Sequence, residues 1–153
     1  MNKSSRSRAI LSHPRNDNAG GAGLRILLGE HDPEVRYLLT FILKADGHDV
    51  CDAADGTAML DEMASVLNAG KPPFDLIISE HQLPFVPGLS VLAGLRASRR
   101  HTPFILITDE PQAETAARRL GAMALITPLT VDKLRGAVSQ VRPASDVDPT
   151  ELS

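Results

Sequence analysis

Phe74–Pro84 reads FDLIISEHQLP, and how that stretch is read decides the fold. Leu76, Ile77 and Ile78 make a short apolar run, the pattern of a strand buried on both faces. Glu80 then stands where the strand should stop, with His81, Gln82, Leu83 and Pro84 behind it. A carboxylate at the end of a buried strand either belongs to a site or is a polar residue that has reached solvent. The choice depends on what the rest of the chain places beside it.

Four other runs have the same character: Ile26–Leu28, His48–Ala53, Phe104–Ile107 and Ala124–Ile126. A helical pattern follows each of the five. Val35, Leu38, Leu39 and Ile42 are spaced i, i+3, i+4, i+7. So are Leu60, Met63, Ala64 and Leu67; Ala113, Ala116, Ala117 and Leu120; and Leu134, Ala137, Val138 and Val141. Residues 88–98 carry a weaker stripe of Val91, Leu92 and Leu95. Each stripe is expected to face a sheet. The punctuation agrees. Asp32 is placed to cap a helix that opens with Pro33 and Glu34. Gly47, Gly70 and Gly121 are placed to close helices, and Thr130 to cap the last. Strand-then-helix repeated five times predicts an α/β domain, with a parallel sheet and helices on both faces. Sites in such sheets form beyond the carboxyl ends of the strands. The residues to inspect are therefore Gly29–Asp32, Ser79–Gln82, Thr108–Asp109 and Thr127–Pro128.

Composition narrows the function. A chain of 153 residues with net charge −3 suits one domain and makes no general case for nucleic acid or an anionic membrane. With no Trp and one Tyr, base-stacking platforms are not expected. The single cysteine, Cys51, cannot form an internal disulfide and reads as a small core residue in a reducing compartment. No run reaches the ~18 apolar residues of a membrane span, and Ala9–Leu11 is too short for a secretory signal. The expectation is a soluble, cytoplasmic protein. Residues 1–23 read as a disordered basic tail (Lys3, Arg6, Arg8, Arg15) and 143–153 as a disordered acidic one (Asp146, Asp148, Glu151). A folded domain is expected over 24–142.

The pieces RILLGEHDPEVRYLL, FDLIISEHQLPFVPGLSVL, PFILITDE and LGAMALITP, in this order and spacing, resemble the receiver domain of two-component response regulators. The resemblance covers about residues 24–142. It implies a flavodoxin-like, three-layer sandwich with five parallel strands in the order 2-1-3-4-5. It also implies a set of site positions. In that family two acidic residues after the first strand bind Mg²⁺, and an aspartate ending the third strand accepts a phosphoryl group. A hydroxyl after the fourth strand and a lysine before a proline after the fifth complete the site.

Carried over, Glu30 matches the first acidic position and His31 falls on the second. Glu80 falls on the phosphoacceptor, Thr108 matches the hydroxyl, and Thr127 stands in the lysine's place before Pro128. Leu125 stands near the family's aromatic switch position. Thus the nucleophile, one metal ligand and the lysine differ together, a pattern that looks like a pseudo-receiver. Glu80 keeps the charge but adds a methylene, and could extend it toward Thr108 in partial imitation of the phosphorylated state. His31 is a poor Mg²⁺ ligand. Glu30, His31 and Glu80 are only weak candidates for a softer metal, and no cofactor is expected. His81 is expected to face solvent or a helix, without a role.

The resemblance implies a non-enzymatic signalling module that works by protein–protein contact without conventional aspartyl phosphorylation. The alternative is a phosphorelay receiver that accepts phosphoryl on Glu80 with Mg²⁺. The implied partner is a histidine kinase or a downstream regulator, met on the face of the fourth helix, fifth strand and fifth helix. Arg118, Arg119, Met123, Lys133 and Arg135 would lie there. A homodimer is possible; membrane and nucleic-acid partners are not expected.

Overall fold

The computed structural model describes residues 23–144. The tails expected at 1–23 and 143–153 therefore lie outside the described residues, save for Gly23, Pro143 and Ala144. Five strands alternate with five helices: β1 (Arg25–Gly29), α1 (Pro33–Ala45), β2 (Asp49–Ala53), α2 (Gly56–Asn68), β3 (Leu76–Glu80), α3 (Gly88–Ala97), β4 (Phe104–Thr108), α4 (Pro111–Arg119), β5 (Met123–Ile126) and α5 (Val131–Val138). All pairings are parallel and the strand order is β2-β1-β3-β4-β5, as the resemblance implied.

Alternation along each central strand sends side chains to two separate cores. Leu27, Ile77, Phe104 and Leu106 face α2, α3 and α4, where they meet Met59, Val91, Leu92, Leu95, Ala113 and Ala117. Ile26, Leu28, Leu76, Ile78, Ile105 and Ile107 face the other way, onto Leu39 and Leu43 of α1 and Leu134, Ala137 and Val138 of α5. The short apolar runs are continuous because these strands are covered on both sides, and each fully buried side chain contributes roughly 1.5–3 kcal/mol. β2 is different. As an edge strand it is mostly half-exposed, although its run was read as a buried strand like the others. Cys51 lies there, partly buried, and burial pushes its thiol up to about 11.

The caps form as expected. Asp32 accepts the N–H groups of Glu34 and Val35, Thr130 accepts that of Lys133, and Asp55, unnoticed in the sequence, accepts that of Ala58. Gly47 closes α1 at φ 97°, a left-handed conformation that costs glycine little.

Two of the expected helix stripes are rotated. In α1 the buried residues are Leu39, Ile42 and Leu43, while Val35 and Leu38 are exposed. In α2 they are Met59 and Val66, with Met63 packed beside them; Leu60 and Leu67 are exposed, and so is Ala64. Both helices carry apolar residues on more than one face, so periodicity alone allows neighbouring stripes. The sheet selects the one whose side chains fill its grooves.

Candidate functional site

The carboxyl ends of β1, β3, β4 and β5 converge on a pocket lined by Glu30, Leu39, Glu80, Gln82, Thr108, Asp109 and Thr127, among others. The sheet register brings them together. Gly29 lies opposite Ser79, Glu80 opposite Ile107, and Thr108 opposite Ile126, so the residue after each strand reaches the same rim. The close packing of α3 depends on Gly88: a Cβ there would lie 2.3 Å from the Glu80 carbonyl oxygen and 2.7 Å from Ser79 Oγ.

Glu80 is turned toward the loop between β1 and α1. Its Oε2 accepts the backbone N–H of His31 at 2.6 Å and pairs with His31 Nδ1. The same imidazole nitrogen lies 3.6 Å from Glu30 Oε2, so one half-exposed histidine bridges the buried Glu30 and the partly buried Glu80. Glu30 Oε2 also accepts the Asp32 N–H at 3.1 Å. Burial pushes the Glu30 carboxyl up to about 7; the Asp32 N–H opposes the rise and the nearby Glu80 adds to it. His31 is raised above its usual range, chiefly by its hydrogen bond to Glu80.

Thr108 is buried at the end of β4, and its Oγ1 accepts the Glu110 N–H at 3.0 Å. Glu80 does not extend toward Thr108, one of the arrangements the resemblance allowed. The Glu80 carboxylate bonds instead to His31, whose backbone and ring both offer donors, while the hydroxyl is occupied at the start of α4. Thr127 lies at the pocket rim, its N–H donating to the Thr108 carbonyl at 3.2 Å and its peptide bond to Pro128 cis. Among the described residues no lysine lines this pocket. Lys133 reaches instead for the carbonyls of Ile126 and Pro128, at 3.4 and 3.3 Å. Leu125 is partly buried on β5 against the α1–α5 core.

Of the two settings expected for His81, solvent or a helix, the structure gives the second, beside Glu110 at the start of α4. It is mostly buried rather than turned to solvent. Its Nε2 lies 3.8 Å from Glu110 Oε1, and its Nδ1 is buried without a hydrogen-bond partner in the structure. Its backbone N–H donates to the Ile107 carbonyl at 2.8 Å. Two further residues shape the rim and went unnoticed in the sequence, Glu110 and Arg36. Gln82 Nε2 donates to Glu110 Oε2 at 2.8 Å. Arg36 Nη1 donates to the Glu30 carbonyl at 2.8 Å, and Arg36 Nε lies 3.8 Å from Asp52. The one available signal for Arg36 was its place in the first turns of the helix behind Glu30.

The face of α4, β5 and α5 holds Arg118, Met123 and Lys133 around one shallow depression, with Arg119 exposed nearby. Arg135 does not join them. It pairs with Asp46 after α1, at 2.7 Å, so the expected basic cluster is smaller than its sequence positions implied. Glu30, His31 and Glu80 each offer one ligand atom within 4.8 Å of the others, and among the described residues they form a group that could hold a metal ion.

The profile of the response regulator receiver domain matches residues 26–139. The chain belongs to that family. Receiver domains of response regulators serve two-component signal transduction. The sensor protein EvgS of Escherichia coli (strain K12) is 28% identical over 129 residues, 82% of this chain and 10% of that protein. The transcriptional regulatory protein PdtaR of Mycobacterium tuberculosis (strain ATCC 25618 / H37Rv) is 27% identical over 132 residues, 84% of this chain and 61% of that one. The chain thus spans about a tenth of the sensor's length. The fold matches chemotaxis response regulator CheY4 of Vibrio cholerae with TM-score 0.65 at 24% identity, covering 78% of this receiver and 98% of that chain. Among the described residues of the receiver, no helix is long and apolar enough to cross a membrane.

Proposed function

We propose that this receiver is an atypical one, a pseudo-receiver that passes its signal by protein–protein contact in the cytoplasm without conventional aspartyl phosphorylation. The observation that carries the reading is the pairing of Glu80 with His31. An attacking carboxylate must place an oxygen in line with phosphorus to roughly 1 Å. Glu80 is one methylene longer than aspartate, and its Oε2 accepts both a backbone N–H and a ring contact from His31. With Thr127 in the place of a lysine, no Lys or Arg among the described residues lines the pocket to stabilise charge on a transferring group. Asp109 at the rim adds a negative charge facing any anionic donor.

The donor set does not fit Mg²⁺. That ion takes near-octahedral oxygen ligands, whereas here one donor is an imidazole nitrogen, one carboxyl is held toward protonation and the other is bound by His31. In this reading the receiver needs no cofactor and catalyses nothing. Its partner, a histidine kinase or a downstream regulator, meets the face of α4, β5 and α5.

Incubation with Mg²⁺ and acetyl phosphate, followed by intact mass measurement, tests the reading. No adduct is expected, and no amide shifts with Mg²⁺ and beryllofluoride. A gain of about 80 Da with shifts clustered at Glu30, Glu80 and Thr108 would instead establish the alternative, a phosphorelay receiver that uses Glu80 with Mg²⁺.

A further inference from the structure

The chain has one tyrosine and four phenylalanines. Two of these five aromatics sit side by side in water on the outer face of α1: Tyr37 is 74% and Phe41 61% exposed, with Leu38 between them at 54%. Large apolar side chains grouped this way mark an interaction surface more often than chance exposure does.

The stripe has an order. Glu34, Tyr37, Leu38, Phe41, Lys44 and Ala45 are spaced i, i+3, i+4, i+7, i+10, i+11, so they share one side of the helix. That side is opposite Leu39, Ile42 and Leu43, which bind the sheet. Its centre is apolar, its N-terminal end is acidic and its C-terminal end is basic. Among the described residues neither Glu34 nor Lys44 forms an ion pair within the chain, whereas Arg36, on the flank, is taken up by Asp52.

We propose that this stripe is a homodimer interface, in which α1 of one copy packs antiparallel against α1 of a second. A two-fold axis beside position 39 sets Glu34 opposite the other copy's Lys44 at both ends, and Tyr37 opposite the other copy's Phe41 at the centre. A parallel pairing would put Glu34 against Glu34 and Lys44 against Lys44, so the charge order selects the antiparallel form. The arrangement is isologous and closed, which limits assembly to two copies. It is separate from the face of α4, β5 and α5 and does not depend on how Glu80 behaves. Three large side chains cover about half of the ~800 Å² per partner in a standard stable interface, which sets the affinity in the micromolar range.

Sedimentation velocity on the full chain, from about 5 to about 500 µM, tests the proposal. A monomer–dimer equilibrium is expected. Phe41→Asp, a surface change whose folding is checked by circular dichroism, should weaken it at least ~100-fold. Lys44→Glu should weaken it about 10-fold. The double exchange Glu34→Lys with Lys44→Glu, which restores opposite charges across the axis, should return it to within about 3-fold of the unaltered chain. A monomer at every concentration overturns the proposal, and if such a monomer binds a helical partner protein through Phe41, the stripe belongs to that partner. A dimer that survives Phe41→Asp, or a double exchange no better than Lys44→Glu alone, overturns it equally.

Discussion

Replacing Glu30 by glutamine should stabilise the protein at alkaline pH and leave it unchanged in acid. The unfolded chain releases the Glu30 proton near 4.5, whereas burial in the folded state holds it to about 7. Between these values the folded state binds more proton than the unfolded one, so stability falls as pH rises through that window. At about 1.4 kcal/mol per tenfold change in ionisation constant, the full cost above pH 7 is about 3 kcal/mol. His31 acts in the same direction. Its folded value is raised by Glu80, so its contribution is whole below 6.5 and is lost as pH rises through the higher folded value. Being half-exposed, it adds less than Glu30. Glutamine fills the same space and its carbonyl can still accept the Asp32 N–H, but it has no charge to bury. Urea unfolding from pH 4 to 8.5 should show Glu30→Gln more stable than the unaltered chain by about 3 kcal/mol at pH 8.5, with the gap closing toward pH 4. A gap that does not change with pH, or an unaltered chain that gains stability from pH 4.5 to 7, would refute the reasoning.

Three other outcomes follow from the structure. Glu80→Asp alone should remain unmodified by acetyl phosphate and Mg²⁺, because His31 and Thr127 still occupy the places of an acid and a lysine; adding His31→Asp and Thr127→Lys should bring a mass gain of about 80 Da. Gly88→Ala should cost about 1–3 kcal/mol in urea unfolding, since its methyl group would meet the Glu80 carbonyl and Ser79 Oγ. In α2, Met59→Ala should cost roughly 2–5 kcal/mol and Leu60→Ser less than about 0.5 kcal/mol; the reverse ranking would mean that the helix face has been assigned wrongly.

Much of the fold was legible because it is local. A cap such as Asp32 accepts N–H groups two and three residues away, and the alternation of Leu27 with Ile26 and Leu28 needs only the pleat of one strand. The strand ends, and therefore Glu30, Glu80, Thr108 and Thr127 as the residues to inspect, came from the same local pattern. What each of them touches did not. Which stripe of α2 turns inward was decided by the grooves of the sheet, because Leu60 and Leu67 are as apolar as the residues that were buried. His31 meets Glu80 across 49 positions of chain, and His81 turns inward to Glu110 rather than to solvent.

By itself the sequence determined the order of strands and helices, their caps, and which residues stand at the rim of the sheet, since these depend on neighbours a few positions apart. Only the tertiary structure decided that Glu80 bonds to His31 instead of reaching for Thr108, that Glu30 is buried enough to keep its proton near neutrality, and that Tyr37 and Phe41 face water. The physical reason is the same in each case: a side chain's direction, solvation and charge are set by groups that are distant in the chain and adjacent only once the sheet has formed.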